Sequence, residues 1–229
     1  MPVSFTEVPL TPLRKAIAAR MTQAKQTVPH FRLIAKIEVD KLMAWRTAFN
    51  EADPASKVSI NDCIIRAVAL SLIENPAINS RMAEKHIERV HTADISVVIA
   101  VQGGLATPVV RGAEKKSLRA IAAEVKGFTE RAGRNALKMN EISGGSFSIS
   151  NLGGYGVEQF DAIINVPQCA ILAVGKATPI VVPATDGAVK VATVVTFTLS
   201  VDHRAIDGAE AGRFLQTLRE VITHPERLA

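Results

Sequence analysis

The feature that most constrains this chain is an apolar run, Val194 to Val201, that stops at Asp202-His203-Arg204. The run reads as a strand with Phe197, Leu199 and Val201 on one face, so it belongs in a core. Asp207-Gly208 then makes a turn. An amphipathic helix follows, with Phe214, Leu215, Leu218 and Ile222 on its buried side. A histidine at the end of a core strand is held by a rigid element and stays open to a ligand, as a general base must be. Ordinary turn chemistry also accounts for polar residues at such a place. A metal reading is weaker, because His203 and Asp207 stand four apart with no third ligand nearby.

The rest of the chain alternates strands and helices. Thr11 caps a helix that opens on Pro12 and carries Leu13, Ile17 and Met21 on one face. Phe31, Leu33, Ala35, Ile37 and Val39 alternate as a strand, and His30 at its start reads as structural. Asp40 is the expected cap of a helix that carries Trp45 as a core residue and ends before Pro54. Asn61 or Asp62 is the expected cap of an apolar helix, Cys63 to Glu74. His86–His91 and Asp94–Val101 read as strands. Gly103-Gly104 then turns the chain into Leu105–Val110, which makes a hairpin. His86 and His91 lie among charged neighbours and read as surface residues.

Ser117 begins a helix with a solvated outer face. In Ser146 to Ser150 the three serines share one face of a strand and Phe147 and Ile149 share the other. The glycine-rich stretch Asn151 to Gly156 has neither the spacing nor the lysine of a phosphate loop, and reads as a tight turn. Cys169 to Val174 is a further strand, and Asp186-Gly187 a turn before Val189–Thr193. His224 reads as a charge partner at the end of the last helix. More strands than helices, with one hairpin, predict an α/β (α+β) chain: a mixed sheet with helices on one face.

Composition excludes several classes. Of 229 residues 48% are hydrophobic but only 4% aromatic, so the core is built from Val, Ile, Leu and Ala. The net charge of +5 is modest and its cations are scattered, which argues against nucleic acid and suits an anionic ligand. Cys63 and Cys169 lie in apolar stretches and read as buried thiols of a reducing compartment. No signal-peptide pattern and no bilayer-length apolar run is visible, so the expected place is the bacterial cytoplasm, or the mitochondrial matrix for a processed chain.

DHRAIDG (202–208) resembles the signature of the dihydrolipoamide acyltransferases, the core subunits of 2-oxoacid dehydrogenase complexes. LRKAIAARM (13–21), VPHF (28–31), GGSFSISNLGGYG (144–156) and IINVPQCAILAVGK (163–176) resemble that family's catalytic domain, in its order and over nearly the whole chain. The resemblance implies a chloramphenicol acetyltransferase-like two-layer sandwich. It implies one catalytic domain over residues 1–229, with no lipoyl or subunit-binding domain visible. It implies trimers packed into a cubic or dodecahedral core, with decarboxylase and dihydrolipoamide dehydrogenase as partner enzymes. Acyl transfer, acetyl favoured, would run between a lipoyl group and coenzyme A, without metal. His203 would be the base. Ser150 of the facing subunit would be the oxyanion donor, with Ser148 on the same strand face as the fallback. Asp207 would be structural, paired with Arg14 or Arg20. A noncatalytic scaffold of this fold and an antibiotic acetyltransferase are the alternatives.

Overall fold

The structure, a computed structural model, describes residues 3–101, 104–184 and 187–229. Helix α1 (Pro12–Thr27) starts as its sequence predicts, with the Thr11 hydroxyl accepting from Arg14 N. Strand β1 (His30–Glu38) leads into helix α2 (Asp40–Ala52). Asp40 does not cap that helix. It is the first helical residue, and its carboxylate accepts from Thr193 N at 2.9 Å, which ties the helix to the sheet. Helix α3 (Ile60–Glu74) begins earlier than expected, with Ser59 as its cap. Asp62 is the other half of a capping box, its carboxylate accepting from Ser59 N. Asp62 is a good cap residue by type, but it sits three residues inside the helix.

Strands β2 (Ser80–Met82) and β3 (Ile87–Arg89) form a small separate ribbon. The expected strand Asp94–Val101 is two strands. β4 (Ile95–Val97) joins the main sheet, and β5 (Ile99–Val101) pairs with β6 (Gly104–Ala106) as the predicted hairpin. The expected turn residue Gly103, like Asp186 of the later turn, lies outside the described residues. After β7 (Val109–Val110) comes helix α4 (Leu118–Gly133), capped by Ser117. Then follow β8 (Phe147–Asn151), β9 (Ala170–Val174) and β10 (Thr178–Pro183). The constraining apolar run belongs to a longer strand, β11 (Val189–Asp202), which absorbs the segment expected to stand apart before it. Helix α5 (Gly208–Thr223) closes the order.

β11 is the hub of one mixed seven-stranded sheet. Its neighbours run β1-β11-β9-β8-β4-β7, and β10 pairs with its first half. The β9–β8 and β8–β4 pairs are parallel and the others antiparallel. One face packs on the helices. Val195, Phe197, Leu199 and Val201 of β11 join Phe147 and Ile149 of β8 and the apolar side of α3 and α5. The Phe147 and Phe214 rings meet at 5.7 Å. Each such buried side chain contributes about 1.5–3 kcal/mol.

The other face is polar and just as deeply buried. Ser96, Ser148, Thr198, Ser200 and Asp202 are all at most 2% exposed. The segment 157–168 covers it, seated by a small cluster of Val28, Ile164 and Ile171. His30 pins this cover. Its Nε2 accepts from Ile164 N at 3.1 Å, so its Nδ1 carries the proton and donates to Val28 O at 2.8 Å. Gln168 ties the cover to the strands: Ser148 Oγ donates to its Oε1 at 2.5 Å, and its Nε2 donates to Ser96 Oγ at 3.0 Å.

Gly175, between β9 and β10, lets this cover approach the sheet. A Cβ there would overlap the Glu158 carbonyl group. The neighbour is backbone, so it cannot rotate away. Gly175→Ala is therefore expected to cost about 1–3 kcal/mol or more in urea unfolding. An unchanged midpoint would contradict the close approach.

Candidate active site

The end of β11 is held by main-chain and ionic bonds. His203 N donates to Pro29 O at 3.1 Å, which ties the loop to the start of β1. Asp202 is 1% exposed, and a carboxylate so buried must be paired. Arg204 pairs with it: its Nε and Nη2 reach the two carboxylate oxygens at 2.9 and 2.6 Å, and its backbone N–H adds a third bond. The hydrogen bonds from Arg204 to Asp202 raise the guanidinium above its ordinary pKa. Between these two residues His203 is exposed. Neither of its ring nitrogens hydrogen-bonds another residue among those described. Its ring lies 4.8 Å from that of Phe31.

Asp207 is the cap of α5. Its Oδ1 accepts from Glu210 N at 2.8 Å, and Glu210 returns a bond to Asp207 N. No ion pair between Asp207 and Arg20 is found among the described residues; Arg20 Nη2 donates to Val166 O at 2.6 Å, on the cover segment. Arg14 contributes its backbone N–H to the α1 cap. The ion pair of the loop is thus the local one, Asp202–Arg204, which the spacing did not single out.

Of the candidate serines, Ser148 is fully buried and committed to Gln168. Ser150 is half-buried, and its hydroxyl bonds no other described residue. The serine adjoining the end of β8 is therefore the available one. Asn151 beside it is fixed by Asn61 and by Gly153 N. Gly153, in the stretch read as a tight turn, packs against Gly175 O, which leaves no room for a Cβ.

His203 and Ser150 do not meet within one chain. Ser150 is level with Ala173 on β9, and Ala173 with Thr198 on β11. Two interstrand steps and five residues along β11 then put His203 about 20 Å from Ser150. A cavity of about 330 Å³ opens beside Asp202, lined by Gln23, Thr27, Met82, Pro167, Gln168 and Arg204. His203 does not line it and faces outward instead.

The other expected residues fall outside the site. Burial pushes the Cys63 and Cys169 thiols up to about 12, which makes both inert at neutral pH. Trp45 is half-buried and stacked on Phe49. His86 and His91 are exposed. His224 is the residue that ends α5, its Nδ1 3.0 Å from Glu220 O. No group of three or more His, Cys, Asp or Glu placed to hold a metal ion is present among the described residues. No described helix is long and apolar enough to cross a membrane.

Residues 2–229 match the family described as 2-oxoacid dehydrogenases acyltransferase (catalytic domain). The chain is 42% identical, over 98% of its length, to the dihydrolipoyllysine-residue acetyltransferase component of the mitochondrial pyruvate dehydrogenase complex of Dictyostelium discoideum, and covers 35% of that protein. It spans 35–55% of the length of the curated relatives it matches. Among solved structures it superposes on the Azotobacter vinelandii dihydrolipoamide acetyltransferase with a TM-score of 0.94, at 30% identity, covering 98% of this chain and 94% of that one. It superposes equally fully on the cubic core of a pyruvate dehydrogenase multienzyme complex, with a TM-score of 0.93 at 30% identity. A likeness to chloramphenicol acetyltransferase, with a TM-score of 0.55 at 14% identity, is one of fold alone; it covers 89% of this chain and 94% of that one.

The cap role of Asp207 has a direct test. Asp207→Ala is expected to lower unfolding stability by about 1 kcal/mol, and Asp207→Asn by a few tenths at most, because asparagine caps as well as aspartate. Equal losses in both would show that charge, and not the cap, is what matters.

Proposed function

The chain belongs to the 2-oxoacid dehydrogenase acyltransferase family, and from that premise we propose that it moves an acetyl group between coenzyme A and a dihydrolipoyl thiol. His203 carries the reading. Its ring nitrogens are uncommitted, its main chain is tied at Pro29 O, and it stands exposed at the end of the strand that holds the sheet together. The Azotobacter structure comes from an investigation of a serine, a histidine and an asparagine in that enzyme's catalytic mechanism. Its histidine and asparagine lie four positions apart, as His203 and Asp207 do here.

The chemistry is thioester exchange. A thiol of pKa near 8.5 is mostly protonated at neutral pH, while the thiolate is the nucleophile. His203 takes the thiol proton as the sulfur attacks the thioester carbonyl. The carbonyl oxygen becomes a tetrahedral oxyanion. The Ser150 hydroxyl of a second copy donates to it, since its own His203 is too far away. Collapse breaks the original carbon–sulfur bond, and the departing sulfur takes the proton back from His203. Asp207 acts here only through the cap that fixes α5 behind the loop.

A second copy is thus part of the site. A homotrimer, assembled into the core of a 2-oxoacid dehydrogenase complex with its decarboxylase and dihydrolipoamide dehydrogenase, is the assembly we propose. Support comes from the Dictyostelium relative, a component of such a complex, and from the likeness to a cubic core. The lipoyl group would arrive on a separate domain. Two free buried thiols suit the reducing bacterial cytoplasm or a mitochondrial matrix.

Acyl transfer from a panel of acyl-coenzyme A donors to dihydrolipoamide tests the proposal. Acetyl is expected to be the best donor. Ser150→Ala is expected to cost a factor of about 100 to 1,000 in kcat. His203→Ala is expected to lose at least as much, and Ser148→Ala to act on stability first. Transfer to chloramphenicol in place of dihydrolipoamide, or activity that survives His203→Ala, would overturn the reading.

A further inference from the structure

An imidazole base is ordinarily oriented by a hydrogen-bonded partner, most often a carboxylate on the nitrogen away from the substrate. Here neither carboxylate of the loop bonds the ring. Both oxygens of Asp202 are taken by Arg204, and Asp207 caps α5. No other described residue hydrogen-bonds the His203 ring. Its main chain is fixed at Pro29 O, but that bond leaves the side-chain torsions open.

Among the described residues, the one ring contact that His203 makes is with Phe31. Phe31 pairs with Val201 across β1 and β11, so His203, two residues on, is its diagonal neighbour. The rings meet at 4.8 Å with a 45° tilt, within the range of favourable aromatic contacts. Phe31 has a backstop. A Cβ built on Gly208, at the start of α5, would lie 3.3 Å from its Cε1, so the Phe31 ring rests against the first turn of that helix. Because Phe31 follows His30 and Pro29, a single tripeptide anchors the cover segment, the His203 main chain and the His203 ring.

We propose that Phe31 is the positioning residue of His203, holding the imidazole by ring packing where a hydrogen-bonded carboxylate would otherwise orient it. The proposal rests on His203 being the base. Phe31 touches no reacting atom. It keeps the ring in the rotamer from which a thiol proton can be taken, and misplacement of a catalytic group by about 1 Å can cost a factor of about 100 in rate.

The test uses Phe31→Leu, which keeps an apolar side chain but removes the ring, and Phe31→Tyr, which keeps the ring. In acetyl transfer from acetyl-coenzyme A to dihydrolipoamide, Phe31→Leu is expected to lower kcat about tenfold or more, with both KM values within about twofold. Phe31→Tyr is expected to hold kcat within about twofold. A map of Phe31→Leu from crystals or cryo-electron microscopy is expected to show the His203 ring in more than one rotamer. The proposal is overturned if the Leu variant keeps its kcat, if Leu and Tyr fall alike, or if the ring stays in place without Phe31. A wild-type protein lacking His203-dependent transfer would sink the functional reading instead, while the rotamer result would still decide whether Phe31 holds the ring.

Discussion

A hydrogen-bonded sheet fixes how far apart its residues stand, and here it holds the two groups proposed for acyl transfer too far apart to cooperate within one chain. Ser150 and His203 sit two strands and five residues from each other on a ladder whose register leaves no slack. The separation is a property of backbone geometry and not of rotamers, so no side-chain motion closes it. Catalysis by this pair requires a second copy of the chain. On the proposed mechanism, assembly is then a condition of activity. The exposed imidazole and the uncommitted hydroxyl fit that proposal, each standing without a hydrogen-bond partner among the described residues of its own chain.

The same sheet separates two kinds of burial. Its helix-facing side is filled by Phe147, Phe197, Leu199, Val201 and Phe214, and holds the layers together without direction. Its other side buries hydroxyls and a carboxylate, and a buried polar group costs stability unless it is hydrogen-bonded; Thr198 Oγ1 and Ser200 Oγ find no partner among the described residues. Gln168 satisfies Ser148 and Ser96, Arg204 satisfies Asp202, and His30 pins the segment that covers them. Directional bonds define positions more sharply than apolar contact does. The polar side and its edge at Asp202 are accordingly where the loop bearing His203 is tied down. Stability comes from one face and placement from the other.

Much of this was legible in the sequence where one signal dominated. The alternation in β8, the Thr11 cap, the helix start at Ser117 and the apolar run before Asp202 each had a single reading, and the structure has each of them; the alternation in β1 holds from Leu33 to Ile37, while Phe31 is exposed and Val39 lies beyond the strand. Where two signals competed, the sequence was ambiguous. Ser59 and Asp62 both suit an N-cap, and only the capping box shows that each holds the other's N–H. Asp94 to Val101 keeps an apolar character through the point where one strand leaves the sheet and the next begins, so the break was invisible. Val189 to Asp202 hides a continuity in the same way. Contacts between distant segments left no local mark at all. The Asp202–Arg204 pair could be suspected from a charge either side of His203, but Phe31 against that ring, Gln168 between two serines and Glu158 against Gly175 are products of the fold.

The central claim, that the base and the oxyanion donor come from different copies, is tested most directly by mixing two inactive proteins. His203→Ala and Ser150→Ala chains, co-assembled in equal amounts, place an intact His203 opposite an intact Ser150 at about one interface in four of a cyclic assembly. The mixture should then regain about a quarter of wild-type transfer, although each parent has almost none. A mixed assembly that stays as inactive as its parents would show that the two groups do not act across an interface.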